Sequence, residues 1–372
     1  MRRRSKAWGL GLLVVTWTAG VWAQTPTPPA PAPQSSQTPS RPSLTVDADP
    51  VPSPDADPLP GAAATKGAPG AALNSKDVIK EDGKYRLIEN AYEVRLNASV
   101  VDSSGRSVDS LPKEAFHVYE DGVLQTIASF RHEDLPVSLG ILIDSSGSMY
   151  DKRQAVDAAS INLVKLSNHD DEAFLVDFNS EAYIDQDFTD SIAKLEEGLK
   201  LSKVGGGTAL YDALVASADY LSKNGKRTKQ VLLVITDGED NASSASLEQA
   251  IERVQDLDGP AIYCIGLLFG EDTDRRESRH AKEVLSELAE QTGGQAYFPR
   301  SLKEVSEITT AVAQDIRTQY TIAYRSTKSP ALGGYRQVHV EAKEKGFRSL
   351  QVRTRTGYYP KVAGSAAQTT GQ

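Results

Sequence analysis

The chain has 372 residues, 41 of them basic and 50 acidic, for a net charge of −9. That balance argues against nucleic acid or an anionic membrane surface as a partner, and the length accommodates roughly two or three domains. A single cysteine, Cys264, excludes an internal disulfide; set in the apolar run 261–268, it reads as a small core side chain.

The N-terminus begins with Arg2, Arg3, Arg4 and Lys6, continues through the apolar run 10–15 and ends on Val21-Trp22-Ala23. This is the pattern of a secretory signal peptide over 1–23, with cleavage after Ala23. The apolar part is short for a membrane span, so no span is expected after cleavage; an uncleaved anchor is the alternative. Cleavage removes four basic residues and leaves 37 against 50 acidic ones, a net charge of −13. The expected location is therefore outside the cytoplasm, periplasmic or secreted. Residues 24–84 form a Pro/Ala-rich linker: 13 of the 19 prolines lie between Gln24 and Ser75, which marks an extended, disordered spacer or an inert tail.

Residues 85–134 change character. Tyr92, Val94, Leu96, Ala98 and Val100 alternate with polar residues as in a half-buried strand, and Asp121-Gly122 between β-rich runs signals a hairpin. This piece is too small to bury a core alone.

The middle of the chain, 135–318, alternates strands and helices. Apolar strand runs occur at 139–143, 173–178, 231–236 and 261–268; helical spacing occurs at Val156, Ala159, Leu163 and Leu166, at Leu210, Leu214, Ser217 and Leu221, and over 281–291 and 302–317. Such alternation predicts an α/β fold with a doubly wound, mostly parallel sheet covered by helices on both faces. After it, 320–324, 337–341 and 350–354 alternate again. The economical arrangement is one β-sandwich built from both flanks, 85–134 and 319–360, with the α/β part inserted between them; two separate β appendages are the competing arrangement. Arg336, Lys343, Lys345, Arg348, Arg353 and Arg355 read as the wet face of a sheet or as a partner-binding patch. A disordered tail covers 361–372.

Three stretches in the middle segment carry chemistry. The run Leu139-Gly140-Ile141-Leu142-Ile143 stops at Asp144-Ser145-Ser146-Gly147-Ser148-Met149, which places a carboxylate and two hydroxyls on alternate residues of a tight turn at the end of a parallel strand. One carboxylate and two hydroxyls suit a hard cation, and Mg²⁺ commonly takes only one or two protein carboxylates. Asp and Ser are also ordinary turn residues, so the stretch alone leaves both readings open. Further on, Gly205-Gly206-Gly207-Thr208 precedes a helical pattern, and Val231 to Ile235 leads into Thr236-Asp237-Gly238, a second strand ending in a carboxylate.

Taken together, Asp144, Ser146, Ser148, Thr208 and Asp237 resemble the metal-ion-dependent adhesion site (MIDAS) of von Willebrand factor type A domains. The resemblance covers about half the chain and implies a Rossmann-like fold. It also implies a divalent cation, Mg²⁺ first with Mn²⁺ or Ca²⁺ as alternatives, held directly by the hydroxyls matching Ser146 and Ser148. The positions matching Thr208 and Asp237 join directly or through water, and the one matching Asp144 holds the first loop. A further coordination position is left for a Glu or Asp carboxylate from a protein partner. Tyr119-Glu120-Asp121-Gly122, the approach Leu135 to Asp144 and the closing Gly357-Tyr358-Tyr359 are similar to exported "VWFA-related" proteins of acidobacteria. The expected function is non-enzymatic, adhesion-type protein binding. Asp212 is expected either to orient the site or to favour its helix start, and Asp240, Asp272 and Asp274 to be solvated.

The alternatives are a structural scaffold of an envelope assembly, in which the cation only pins the loops, and a hydrolase. Against the hydrolase, neither Ser146 nor Ser148 sits in G-x-S-x-G, no phosphate-binding loop is present, and the five histidines form no recognisable catalytic pattern. The last helix, 302–317, runs almost directly into the strand at Tyr320, and related domains shift this helix on ligand binding; coupling to the β flank is the expected consequence.

Overall fold

The computed structural model describes the backbone of two short strands, β1 (Val78–Glu81) and β2 (Lys84–Leu87), and then residues 93–361 apart from 167, 202, 239 and 270–274. The expected signal peptide, most of the spacer, the tail beyond 361, Asp272 and Asp274 lie outside the described residues. The two strands pair antiparallel, so the stretch expected to be an extended linker up to residue 84 contains paired strands; Val, Ile and Tyr, which recur there past the prolines, favour strands.

The first flank contributes β3 (Glu93–Asp102), β4 (Phe116–Glu120), β5 (Val123–Gln125) and β6 (Ile127–Arg131). The middle segment then runs β7 (Val137–Asp144), α1 (Arg153–Lys165), β8 (Glu172–Phe178), β9 (Ala182–Thr189), α2 (Ile192–Leu199), α3 (Leu210–Asn224), β10 (Lys229–Thr236), α4 (Leu247–Asp256), β11 (Ala261–Gly266), α5 (Arg275–Thr292), β12 (Ala296–Tyr297) and α6 (Leu302–Arg317). The second flank adds β13 (Tyr320–Arg325), β14 (Arg336–Ala342), β15 (Leu350–Arg353) and β16 (Gly357–Tyr358).

The central sheet has the order β12-β11-β10-β7-β8-β9, parallel throughout except for β9, which pairs antiparallel with β8. Its strands are apolar on both faces because both faces are covered. Leu139, Ile141 and Ile143 pack with α1, α2 and α6, while Leu142, Val234 and Cys264 pack with α3, α4 and α5. This is the doubly wound, mostly parallel sheet expected from the alternation. The elements of this part that the periodicity did not announce are β9, α2, α4 and β12. α4 nevertheless has a readable start, since Ser246 and Gln249 form a capping box.

Both flanks share both remaining sheets. β3 lies between β15 and β13, with β6 outside β13; β14 lies between β16 and β4, with β5 outside β4. The two sheets bury a common core that includes Leu96, Val118, Tyr320, Ile322 and Val340. The Asp121-Gly122 turn has positive φ at both residues, 48° and 78°, and joins β4 to β5 as a tight hairpin.

The basic stretch does not lie wholly on a wet face. Lys343, Lys345 and Arg348 are exposed, but Arg336 is 2% exposed and Arg355 is also buried. Arg336 faces Glu120, itself fully buried, at 3.4 Å. Glu120 accepts hydrogen bonds from Tyr324 (2.8 Å), Tyr358 (2.9 Å) and Ser326 (2.6 Å), and Arg336 donates to the carbonyls of Lys328 (3.0 Å) and Ser329 (2.7 Å). Burial and the Glu120 carboxylate push the Tyr358 phenol up to about 12. One carboxylate from the first flank thus organises three strands' worth of polar groups from the second.

The junction between the α/β part and the sandwich is polar and buried. At the end of α6, Asp315 accepts from Tyr263 (2.7 Å) and Arg353 (2.8 Å), Arg317 pairs with Asp134 (2.6 Å) and with Asp171, and Lys229 donates to the carbonyl of Ile316. A cation at a helix C-terminus is favourably placed, yet burial, with Arg317 nearby, pushes Lys229 down to about 8 from its ordinary value near 10.5.

Two predictions follow from these buried charges. Glu120→Ala leaves a buried guanidinium and two phenols without their acceptor and should lower unfolding stability by about 3–5 kcal/mol in denaturant titration. For Lys229 the unfolded chain binds more protons between the folded and unfolded pKa values, so the group's contribution to stability rises with pH across that window. The stability difference between wild type and Lys229→Met should therefore move by roughly 3 kcal/mol in favour of wild type from about pH 7 to about pH 11, measured by urea unfolding.

Candidate metal centre

Strands β7 and β10 are neighbours in the sheet, but the chain leaves them toward opposite edges: β7 is followed by β8, and β10 by β11. Their C-terminal ends therefore form the crevice where ligands bind in open parallel sheets. Asp144 ends β7, and Thr236 and Asp237 close β10.

Asp144 is fully buried. One carboxylate oxygen accepts from the Ser146 amide (2.8 Å) and the other from the Thr236 hydroxyl (2.6 Å). Burial raises its pKa; the bonds from Thr236 and Ser146 act against that rise, and the neighbouring Asp237 adds to it. From the turn, the Ser146 and Ser148 hydroxyls lie 3.1 Å apart, and the Ser148 hydroxyl donates to Oδ1 of Asp237 at 2.7 Å. Ser146 is buried, whereas Gly147 and Ser148 are exposed.

Thr208 is brought to the same place by a third loop. The Gly205 amide donates to the carbonyl of Ser145 (2.8 Å) and the Ala209 amide to that of Asn179 (2.6 Å). Asn241 holds Thr208 from the other side: its side chain accepts from the Thr208 amide (2.9 Å) and its own amide donates to the Thr208 carbonyl (2.9 Å). A Cβ on Gly238 would sit 3.9 Å from the Thr208 hydroxyl, which places that hydroxyl beside the Asp237 loop. Gly206, at φ +87°, and Gly207 give the loop its tight path; a Cβ on Gly207 would meet the Asn241 amide oxygen at 2.7 Å.

The structure thus brings Asp144, Ser146, Ser148 and Asp237 into one hydrogen-bonded cluster, with the Thr208 loop beside it. Ser146, Ser148 and Asp237 form a chain of oxygens 2.7 and 3.1 Å apart. Neighbouring ligands of an octahedral cation with metal–oxygen distances of 2.0–2.1 Å stand roughly 3 Å apart, so the spacing fits Mg²⁺. The chemistry also fits: two buried carboxylates and three hydroxyls are hard oxygen donors, and Asp144 accepts only from neutral donors. Among the described residues no group of three or more His, Cys, Asp or Glu gathers.

Several participants escaped the sequence reading. Thr236, the residue before Asp237, anchors Asp144. Lys152 reaches Oδ2 of Asp237 at 2.5 Å. Asp240 is not simply solvated: it accepts from the Tyr211 amide (3.0 Å) and from the amide and hydroxyl of Ser243 (3.1 and 2.5 Å). Asp212 accepts from the amides of Ser244 (2.8 Å) and Ala245 (2.9 Å). The two aspartates tie the start of α3 to the loop after β10, which carries Asn241. Spacing in the sequence does not show this, because the partners are about thirty residues apart.

An open sheet with an oxygen-lined crevice at its switch point defines a class of α/β binding domain. Residues 139–311 match the family model of the von Willebrand factor type A domain, and the chain carries a domain of that family there. Similar solved structures include proximal thread matrix protein 1 from the mussel byssus, at 18% identity and TM-score 0.42, covering 53% of this chain and 51% of that one. A von Willebrand factor type A protein from Catenulispora acidiphila is 16% identical, TM-score 0.41, covering 72% and 74%. The vWF domain of the type V pili tip protein Mfa5 from Porphyromonas gingivalis is 13% identical, TM-score 0.40, covering 49% and 95%. The chain spans about half the length of the mussel protein it matches. No curated protein matches the chain.

Asn241→Ala removes the acceptor of the Thr208 amide without touching the donor oxygens. It should weaken Mn²⁺ binding by roughly ten- to a hundredfold while leaving the far-ultraviolet circular dichroism spectrum unchanged, as measured by calorimetric titration.

Proposed function

We propose that the chain is an exported, non-enzymatic binding module that captures a Glu or Asp carboxylate of a protein partner through a divalent cation held by Ser146, Ser148, Thr208 and Asp237, with Asp144 fixing the first loop. The observation that carries this reading is the run of oxygens from Ser146 through Ser148 to Asp237, spaced as ligands of one small cation and ending on an exposed hydroxyl. When bound, the cation supplies a positive charge able to accept an external carboxylate. The chain's own residues do the rest. Thr236 and the Ser146 amide orient Asp144, Asn241 orients Thr208, and the tight turn presents Ser148 to solvent. Tyr150, 76% exposed and two residues beyond Ser148, offers an aromatic contact beside that opening.

Export rests on the N-terminal basic and apolar pattern. Among the described residues no helix is long and apolar enough to cross a membrane. The absence of a nucleophile-and-base arrangement in the sequence supports binding over hydrolysis.

Calorimetric titration of the purified chain with Mg²⁺ or Mn²⁺ tests the reading. Wild type should take up about one ion per chain, and Asp144→Ala should lose binding by at least roughly a hundredfold while remaining folded. Capture of protein partners from envelope material should then be abolished both by chelator and by Asp144→Ala. Metal uptake with chelator-resistant capture would instead leave the ion a loop-pinning role, and absence of uptake would overturn the proposal.

A further inference from the structure

Two basic residues stand at the start of α1, Lys152 at the N-cap and Arg153 at the first helical position. Cations at a helix N-terminus oppose the macrodipole, so each needs a specific anionic partner. Arg153 has two, Asp157 at 2.6 Å and the buried Asp177 at 2.9 Å. The partner of Lys152 is Asp237, one of the residues assigned to the cation.

The contact is built rather than incidental. The backbone of Lys152 is fixed by its amide, which donates to the Met149 carbonyl at 3.0 Å, and by its carbonyl, which accepts from Ala155 and Val156 at 3.1 and 3.2 Å. Its side chain is only 19% exposed, and that of Asp237 is 1% exposed. The ammonium lies 2.5 Å from Oδ2 of Asp237 and 5.9 Å from the centre of the Phe269 ring. With Ser148 donating to Oδ1, both oxygens of Asp237 are engaged.

We propose that Lys152 is a tethered monovalent cation that tunes the metal centre: it neutralises Asp237 in the ion-free protein, lowers affinity for the divalent ion, and leaves the loaded site with an excess of positive charge. This rests on reading the site as a cation site. Asp144 and Asp237 together carry two negative charges. A divalent ion alone would cancel them, whereas the same ion beside Lys152 leaves one positive charge unbalanced. An anionic group from a partner then completes the balance. Lys152 thus shifts binding energy from the ion itself to the ion together with an acidic ligand.

The experiment is Mn²⁺ titration by calorimetry of the full chain as wild type, Lys152→Gln, Lys152→Met, Lys152→Arg and Asp144→Ala, with thermal melting in chelator and in saturating Mn²⁺. Lys152→Gln, which keeps a hydrogen-bond donor for Asp237 without charge, should bind Mn²⁺ at least about tenfold more tightly than wild type, and Lys152→Met should do the same; Lys152→Arg should stay within about threefold of wild type. In chelator the two neutral variants should melt below wild type, because the buried Asp237 carboxylate has lost its counter-charge, and Mn²⁺ should abolish that difference. Should Lys152→Met not fold without the ion, the Lys152→Gln comparison decides. Equal or weaker Mn²⁺ binding by Lys152→Gln, with Asp144→Ala still inactive, overturns the role of Lys152 and leaves the cation site standing. No Mn²⁺ uptake by wild type or by either neutral variant overturns both.

Discussion

The Asp144 carboxylate, sealed at the end of β7 and held by the Thr236 hydroxyl and the Ser146 amide, is the constraint on which the candidate site depends. It links the ends of the neighbouring strands β7 and β10, from which the chain leaves toward opposite edges, and so ties the turn at Ser146 to the end of β10. A buried carboxylate served only by dipoles is costly in a low-dielectric interior. Under the proposed function, the nearby cation would offset that cost.

Around that bridge, the remaining loops are braced by short polar side chains acting on backbone groups. Asn241 clamps Thr208, while Asp240 and Asp212 tie the start of α3 to the segment after β10. These are local bonds between remote parts of the chain, and their combined effect is rigidity around the candidate site. The sandwich uses the same device on a larger scale. Glu120 collects Tyr324, Ser326, Arg336 and Tyr358 into one buried network, and the end of α6 is fastened to its surroundings through Asp315, Ile316 and Arg317. The α/β part and the sandwich therefore meet across specific polar contacts, and α6 leads into β13 with only Thr318 and Gln319 between them.

Much of this was legible in the residues. The alternation of apolar runs announced the parallel sheet, because a strand covered on both faces is apolar along most of its length. Asp121-Gly122 announced its hairpin because few other pairs adopt positive φ twice. The five candidate site residues were picked out by their resemblance to the von Willebrand factor type A pattern, two of its stretches lying at the ends of strands and one after a glycine-rich loop. Other features were not legible. Arg336 and Arg355 carry the same alternating pattern as exposed basic residues, yet they turn inward, since their partners Glu120 and Asp258 lie 216 and 97 residues away. The edge strand β9 alternates too weakly to stand out, whereas the helices α2 and α4 carry short apolar stripes, Ile192, Leu195 and Leu199 and Leu247, Ile251 and Val254, that the reading of the residues passed over.

By itself, the order of residues determined the local elements and the doubly wound core, since these depend on periodicity and on chemistry within a few positions, while the five candidate oxygen donors were picked out by their resemblance to a family pattern. Only the tertiary structure decided how strands from the two flanks interleave, which charges are buried together, and that Lys152 rests on Asp237. The reason is physical: a side chain's electrostatic environment is set by neighbours that chain folding brings from far away, and no spacing along one segment specifies them.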